Sequence, residues 1–454
     1  MICRSALSRG SKLALGRQGA RGFAAAASPK ASYEPTTIAG VKVASRDDNG
    51  PTTRLAVVAK AGTRYEPLPG LTVGLEEFAY KAGWPLFFGN TNKRSALRIT
   101  REAELLGGQL TAYHTREALV LQASFLREDL PYFTELLAEV VSQTRYTTHE
   151  FHEEVKDIIH QKQAKVDASA VALDAAHAVA FHSGLGAPLY PTPSTPIDSY
   201  LNEQAVADFA AVAYSKSNIA VVSDGASEHG LQKWIEPFFK TVPAQGSGSL
   251  NNVASKYHGG EQRISAVGQN SVVIAFPGAS LGASSPETAV LAGLLGGEST
   301  IKWSPGFSLL SQAAAPGAQA KATNYAYSDA GLLVIQINGQ SAAVKKTAEA
   351  AVKALKGVAE SGVSQEVLVK AIAKAKFTLL SGSEVGGVGI VHAGANLIHG
   401  GSPLKVAETL KAFESVTGDK LKAAAKALLE GKASVASVGD LHVLPFAEDL
   451  GLQV

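Results

Sequence analysis

Residues 70–83 read GLTVGLEEFAYKAG, and residues 104–141 read ELLGGQLTAYHTREALVLQASFLREDLPYFTELLAEVV. In the first stretch Leu71, Leu75, Phe78 and Ala79 fall at i, i+4, i+7 and i+8, the spacing of one buried stripe on a helix. The second stretch ends in another helical pattern over 132–141. Upstream, residues 55–60 read as a strand, followed by a loop into the first helix. Downstream, a helical pattern over 201–214 leads through Ser215, Lys216, Ser217 and Asn218 to a strand at 219–222 and then Ser223, Asp224 and Gly225.

The same grammar recurs. Residues 243–260, PAQGSGSLNNVASKYHGG, are rich in Gly, Ser and Asn and poor in large apolar residues, which is linker composition. After them come a strand at 271–276, a loop, a helix, an Ala/Lys-rich helical pattern over 342–360, a helical pattern over 419–429 and a strand at 433–438 ending in Gly439 and Asp440. The expected fold class is α+β: two homologous domains, 33–242 and 261–454, each a β-sheet with helices packed on one face and joined by 243–260.

Composition narrows the function. The 454 residues carry 42 Lys+Arg against 40 Asp+Glu, a formal net charge of +2, which gives no support to nucleic acid as a partner. Residues 1–23, MICRSALSRGSKLALGRQGARGF, hold Arg4, Arg9, Lys12, Arg17 and Arg21, and the first acid is Glu34. Basic, Ser-containing and acid-free describes a mitochondrial transit peptide, expected to end between Phe23 and Ala24. Five positives taken from +2 leave −3. The only Cys and the only Met, Cys3 and Met1, would leave with it. A mature chain without sulfur ligands excludes Fe–S clusters and Cys- or Met-ligated haem, and no cofactor is expected. No apolar run approaches the ~18–20 residues of a membrane-spanning helix.

The order Arg94, Ser95, then Leu106, Gly107, Gly108, Leu110, Ala112, Tyr113, Arg116, Glu117, then Leu126, Asp129, Leu130 resembles the pitrilysin-type metallopeptidase family. In particular it is similar to the mitochondrial branch that holds the processing-peptidase subunits and the core proteins of the cytochrome bc1 complex. In the second half, Asn324-Tyr325-Ala326-Tyr327-Ser328-Asp329-Ala330-Gly331-Leu332 resembles that branch's Tyr-Ser-Asp-Ser-Gly-Leu element. Active members carry His-x-x-Glu-His on the first helix and a further Glu roughly 75 residues on. With Tyr80-Lys81 fixing the register, the first His position is Val73, the Glu is Glu76, the second His is Glu77, and the distal Glu falls near Glu153. Both imidazoles are gone. A catalytic zinc needs three protein ligands and an open position, and carboxylates without His suit a hard, weakly held cation better than zinc. The expectation is a degenerate motif with no catalytic residue and no metal, in which Glu76→Gln leaves assembly intact.

Other motifs were weighed. His149 and His152 are at i, i+3, one short of a zinc pair, and Thr147 with Glu150 fits a helix-start capping box. Gly278-Ala279-Ser280-Leu281-Gly282 matches a nucleophile elbow, but Pro277 precedes it and Ser285-Pro286 is the better helix start. His177, His182, His392 and His399 read as scattered single residues. Gly296-Gly297 reads as a helix stop, and residues 296–306 match only weakly the long glycine-rich loop with which a processing-peptidase subunit engages presequences. The resemblance therefore implies a non-catalytic core subunit of ubiquinol–cytochrome c reductase. The resemblance further implies a peripheral position on the matrix side of the mitochondrial inner membrane, held through protein partners only: the homologous core protein 1 and other bc1 complex subunits. The alternative is a presequence-binding subunit of the processing peptidase. The second face of each sheet is expected to meet an internal cavity and the homologous partner.

Overall fold

The structure, a computed structural model, describes residues 32–79, 89–281, 285–297, 304, 306–384 and 386–454. The transit-peptide assignment with Phe23 and Ala24, the Tyr80-Lys81 pair, Gly282 and most of the 296–306 stretch lie outside the described residues.

The first half runs β1 (Glu34–Ile38), β2 (Val41–Arg46), β3 (Thr52–Ala59), α1 (Leu71–Ala79), α2 (Ala96–Leu105), β4 (Gln109–His114), β5 (Leu119–Leu126) and α3 (Leu130–Gln143). A single turn, α4 (Thr148–Glu150), passes through a π-helical stretch (Phe151–Val155) into α5 (Lys156–Ala164). Then come α6 (Ala168–Phe181), α7 (Glu203–Ala213), β6 (Ile219–Asp224) and α8 (Glu228–Phe238). The second half runs β7 (Gly260–Ser265), β8 (Asn270–Gly278), α9 (Pro286–Leu295), α10 (Leu309–Ala313), β9 (Ala318–Ala326) and β10 (Gly331–Gly339). It closes with α11 (Ser341–Ser361), α12 (Gln365–Glu384), α13 (Gly386–Ile398), α14 (Val406–Glu414), α15 (Gly418–Glu430) and β11 (Ser434–Gly439).

The local signals behind these elements are ordinary. Ser95, Asp167, Asn202, Ser227 and Thr417 each accept a backbone N–H of the first turn they cap. Gly296, at φ +65°, closes α9 as the helix stop expected of that glycine pair. Pro286 stands at the start of α9 as read from the sequence, although the Ser285 side chain makes no capping bond.

The two sheets repeat each other. The first is ordered β1-β2-β6-β3-β5-β4 and the second β7-β11-β8-β10-β9. With β1 set aside, both show one parallel pair (β2 with β6; β7 with β11) and then three antiparallel pairs in the same sequence order. The strands expected to open each half, 55–60 and 271–276, are instead the central β3 and β8. Of the strands before them, β1 and β7 are polar edge strands, EPTTI and GEQRIS, with weak sequence signals, whereas β2 (VKVASR) is short but mostly buried.

Each half packs its own helices on one sheet face around its own apolar core. Leu55, Val57, Leu121, Phe133, Leu137 and Val221 fill the first core, and Val272, Ile274, Ile335, Val344, Leu421 and Val435 fill the second. The second faces are covered in large part from within the chain. The second half lends α13 to the first sheet, burying Ile390, Ala393 and Leu397 on Ala56, Val58, Val120 and Val222. The first half lends α6 to the second sheet, burying Ala172, Ala176 and Ala180 on Val273, Ala275, Val334 and Ala436. The contact side of α6 is mostly alanine, whereas α13 sets Ile390 and Leu397 around Ala393. Gly394 lets the α13 backbone touch β3, because a Cβ there would run into the side chain of Val58.

Candidate functional site

The α1 helix carries more than one buried stripe. All nine of its residues are buried, Glu76 at 4% exposure and Glu77 at 0%. It is enclosed by β4, β5, α5 and α7. Val73 is part of the apolar core and offers no donor atom. The two carboxylates converge on one ammonium: Lys162 Nζ lies 2.7 Å from Glu76 Oε1 and 2.5 Å from Glu77 Oε1. On its other side Glu76 Oε2 is hydrogen-bonded to His114 Nδ1, and His114 Nε2 donates to the Leu189 carbonyl at 2.8 Å. The His114 ring thus faces a carboxylate oxygen on one side and a backbone carbonyl on the other. Lys162 sets a positive charge beside the two buried carboxylates, and pairing of this kind avoids the cost of an unpaired buried ion.

Burial alone would raise the Glu76 carboxyl, but the His114 hydrogen bond and charge and the Lys162 ammonium hold it below the ordinary glutamate range. Burial works to lower the Lys162 amine, and the charges of Glu76 and Glu77 more than offset it, holding the amine above the usual lysine range. Glu76→Gln would leave the Lys162 ammonium opposed by Glu77 alone, a local cost distinct from the expectation that assembly stays intact.

Glu153 is not at this site. The run from α4 to α5 buries Phe151, Val155, Ile159 and Gln163 at four-residue spacing. Glu153 is half a turn off that face, exposed, with its Oε1 3.1 Å from His149 Nδ1. Lys162, beside the buried face and nine residues on, reaches the carboxylates instead. In sequence, Lys162 is one of several polar residues on α5, and His114 stands between Tyr113 and Arg116 with no spacing that marks either as a partner of α1. Half of the capping box is present: Thr147 accepts the Glu150 N–H as N-cap, but Glu150 Oε2 accepts the Thr147 hydroxyl, at 2.6 Å, in place of its backbone N–H. The residues present do not fit a catalytic zinc. One candidate position is aliphatic, two are engaged by a lysine, and the fourth faces solvent. Among the described residues no group of three His, Cys, Asp or Glu is arranged to hold a metal.

The motif that carries the resemblance is scaffolding. Arg94 pairs with Glu102, Glu135 and Glu139, tying α2 to α3. Gly107 takes φ +68°, and a Cβ on Gly108 would enter the ring of Phe133, so Leu-Gly-Gly is a stop that turns α2 into β4. Arg116 binds Asp174 and the carbonyls of Leu185 and Ala187.

The two stretches that carry the resemblance then meet. Glu117 accepts Arg64 Nη1 at 2.7 Å, the Ser328 N–H at 2.9 Å and the Ser328 hydroxyl at 2.5 Å. Asp329 takes both Arg64 amino groups, at 2.7 and 2.6 Å, and the Ser255 N–H at 2.9 Å. Arg64 thus clasps the first half to the second. Beside it His177, on α6, donates from Nδ1 to the Leu173 carbonyl and accepts the Tyr327 hydroxyl at Nε2, both at 2.8 Å. Burial pushes the His177 imidazole well below its usual range, which keeps it neutral. His182 is not solitary either: its ring stacks on His258 with centroids 4.1 Å apart.

Away from this region, β8 ends at Gly278 and α9 begins at Pro286, so no strand turns directly into a helix at Ser280. A cavity of about 1010 Å³ lies between α9, β9, α12 and α13, the position in the second half that corresponds to the α1–β4–α5 site in the first. Its described lining includes Arg46, Lys321 and Lys374 and no carboxylate, so it has no counterpart to Glu76 and Glu77.

Residues 42–192 match the insulinase family (peptidase family M16), and residues 200–375 match the peptidase M16 inactive domain. The chain is 74% identical, over the whole length of both proteins, to the mitochondrial cytochrome b-c1 complex subunit 2 of Neurospora crassa. It is 38% identical to the protein of that name from Cryptococcus neoformans, over 92% of this chain and 94% of the other. The human protein of that name is 29% identical over 90% of each chain.

Proposed function

We propose, from the premise that the chain belongs to the insulinase family (peptidase family M16), that it is a non-catalytic member serving as the second core subunit of mitochondrial ubiquinol–cytochrome c reductase, the cytochrome bc1 complex. Its role is structural: assembly and stability of the complex. The full-length 74% match to a cytochrome b-c1 complex subunit 2 carries the reading. The lysine-filled carboxylate pair on α1 supports its non-catalytic side, since Glu76 has no polarised water to deprotonate.

In this reading residues 1–23 are a transit peptide removed between Phe23 and Ala24, 33–242 and 261–454 are the two domains, and 243–260 is the linker. Val73, Glu76, Glu77 and Glu153 bind no metal. The chain sits on the matrix side of the inner membrane, with core protein 1 and the other bc1 subunits as partners. No described helix is long and apolar enough to cross a membrane, which fits attachment by protein contact.

The test is a strain lacking this chain. Quinol–cytochrome c reductase activity should be lost while matrix presequence cleavage stays normal. Cleavage lost first, with reductase falling only later, would sink the assignment. Elemental analysis of the purified protein should find no stoichiometric zinc.

A further inference from the structure

We infer that Lys162 is this protein's resident cation: its ammonium holds the electrostatic place of a divalent ion between Glu76 and Glu77, and removing it opens those carboxylates to a divalent ion. The inference rests on the reading of the α1 motif as degenerate and extends it to the residue that fills the vacated role.

Three observations carry it. First, adjacent glutamates on a helix point about 100° apart, yet both reach one nitrogen, at 2.7 and 2.5 Å. Their long arms are gathered by the charge between them, as ligands are gathered by an ion. Second, the carboxylates are 5% and 0% exposed, so neither can rely on water for its neutralisation. Third, Lys162 arrives on a flexible stem from α5 and remains 22% exposed. Lys162 is therefore the one member of the trio with a side chain that still reaches solvent.

Shortening the stem vacates the position. His114 stays behind Glu76 with its Nε2 fixed to Leu189, so it orients that carboxylate rather than entering the vacated position. Two carboxylates completed by water form an all-oxygen set, which favours Mn²⁺ or Mg²⁺ over Zn²⁺. Affinity should be weak, because the set is small.

The experiment uses the full chain with Lys162→Ala, Lys162→Arg and the double variant Lys162→Ala/Glu77→Gln, and Mn²⁺ as the probe. Bound Mn²⁺ is read by electron paramagnetic resonance, and melting temperature is followed in Mn²⁺ and in chelator. The unaltered chain and Lys162→Arg should bind none and melt alike in both. Lys162→Ala should melt lower in chelator, recover most of that loss in Mn²⁺, and take up about one ion per chain. The double variant should lose the ion and the response. Should Lys162→Ala be insoluble, it is refolded with and without Mn²⁺, and recovery that depends on the ion is the expected result. A Lys162→Ala chain indifferent to Mn²⁺, soluble or refolded, overturns the inference. So does uptake by the unaltered chain equal to that of the variant. Stoichiometric zinc or peptide hydrolysis in the unaltered chain is a different result, and it would remove the degenerate-motif reading beneath.

Discussion

Replacing Arg64 by Met should loosen the two halves from each other, by an amount the geometry bounds. The Arg64 side chain is 2% exposed and its Glu117 partner 6%, so this pair is buried, whereas Asp329 is one-third exposed. Breaking a buried pair by removing one partner costs about 3–5 kcal/mol, most of it from the charge left behind. An exposed pair contributes only ~0.2–1 kcal/mol. Glu117 keeps its two bonds from Ser328, which moderates the loss and places the expectation for Arg64→Met near ~3 kcal/mol. If the cost comes from stranding Glu117, neutralising it as well should return part of it. Arg64→Met/Glu117→Gln should then be more stable than the sum of the single changes by ~1–3 kcal/mol. The assay is urea unfolding of the full chain for the four members of the cycle, with hydrogen exchange at 327–330 reporting local opening. A coupling below ~0.5 kcal/mol, the level of independent sites, would refute the clasp as an energetic unit.

Glu76→Gln should lower the melting temperature without abolishing the fold, at a cost of about 1–3 kcal/mol for the hydrogen bonds weakened at Lys162 and His114; a change within error contradicts the paired cluster. Gly394→Ala should destabilise the chain by ~1–3 kcal/mol through overpacking on Val58, whereas Gly387→Ala, where the structure leaves open space, serves as the control. Burial alone would raise the Asp329 carboxyl, but Arg64 and the Ser255 N–H bring it down to about 2, below its ordinary 3.8. Its contribution to stability is thus present above pH 3.8 and lost as pH falls toward about 2. Asp329→Asn should flatten the acid limb of a stability–pH curve in that window, and an unchanged limb argues against it. Intact-mass measurement of the mitochondrial protein should find an N-terminus at or soon after Ala24, and retention of Met1 through Phe23 refutes processing there.

Much of the architecture is legible in sequence because it is written in periodicity and punctuation. Gly296 as a stop, Pro286 as a start, and the helices of 203–213 and 418–430 all follow from local signals. What escapes is long-range. Nothing in the pattern of 168–181 or 386–398 says that each helix serves the other half's sheet, because apolar residues on a helix face suit any close partner. The site divides the same way. The loss of both histidines at Val73 and Glu77 is visible from spacing alone. Lys162 is not, because it reaches α1 from 85 positions away and nothing near it in sequence hints at a carboxylate partner. Glu153 fails for a local reason: family spacing points at it, but the buried positions 151, 155, 159 and 163 turn it outward.

The crossed placement of α6 and α13 sets a schedule for biogenesis. A chain emerging N-terminus first completes the first sheet when β6 has appeared, at Asp224, yet the helix that covers that sheet's back begins at Gly386. About 160 residues must follow before that cover can form. Until they do, a surface of Ala56, Val58, Val120 and Val222 is without its cover. The protein is thus at its stickiest while half delivered to its compartment, and a chaperone that recognises flat aliphatic surface has a defined window in which to act. Chains truncated anywhere before residue 398 would keep that surface bare for good, and quality-control proteases should clear them sooner than chains shortened by the same length at the other end of the exchange.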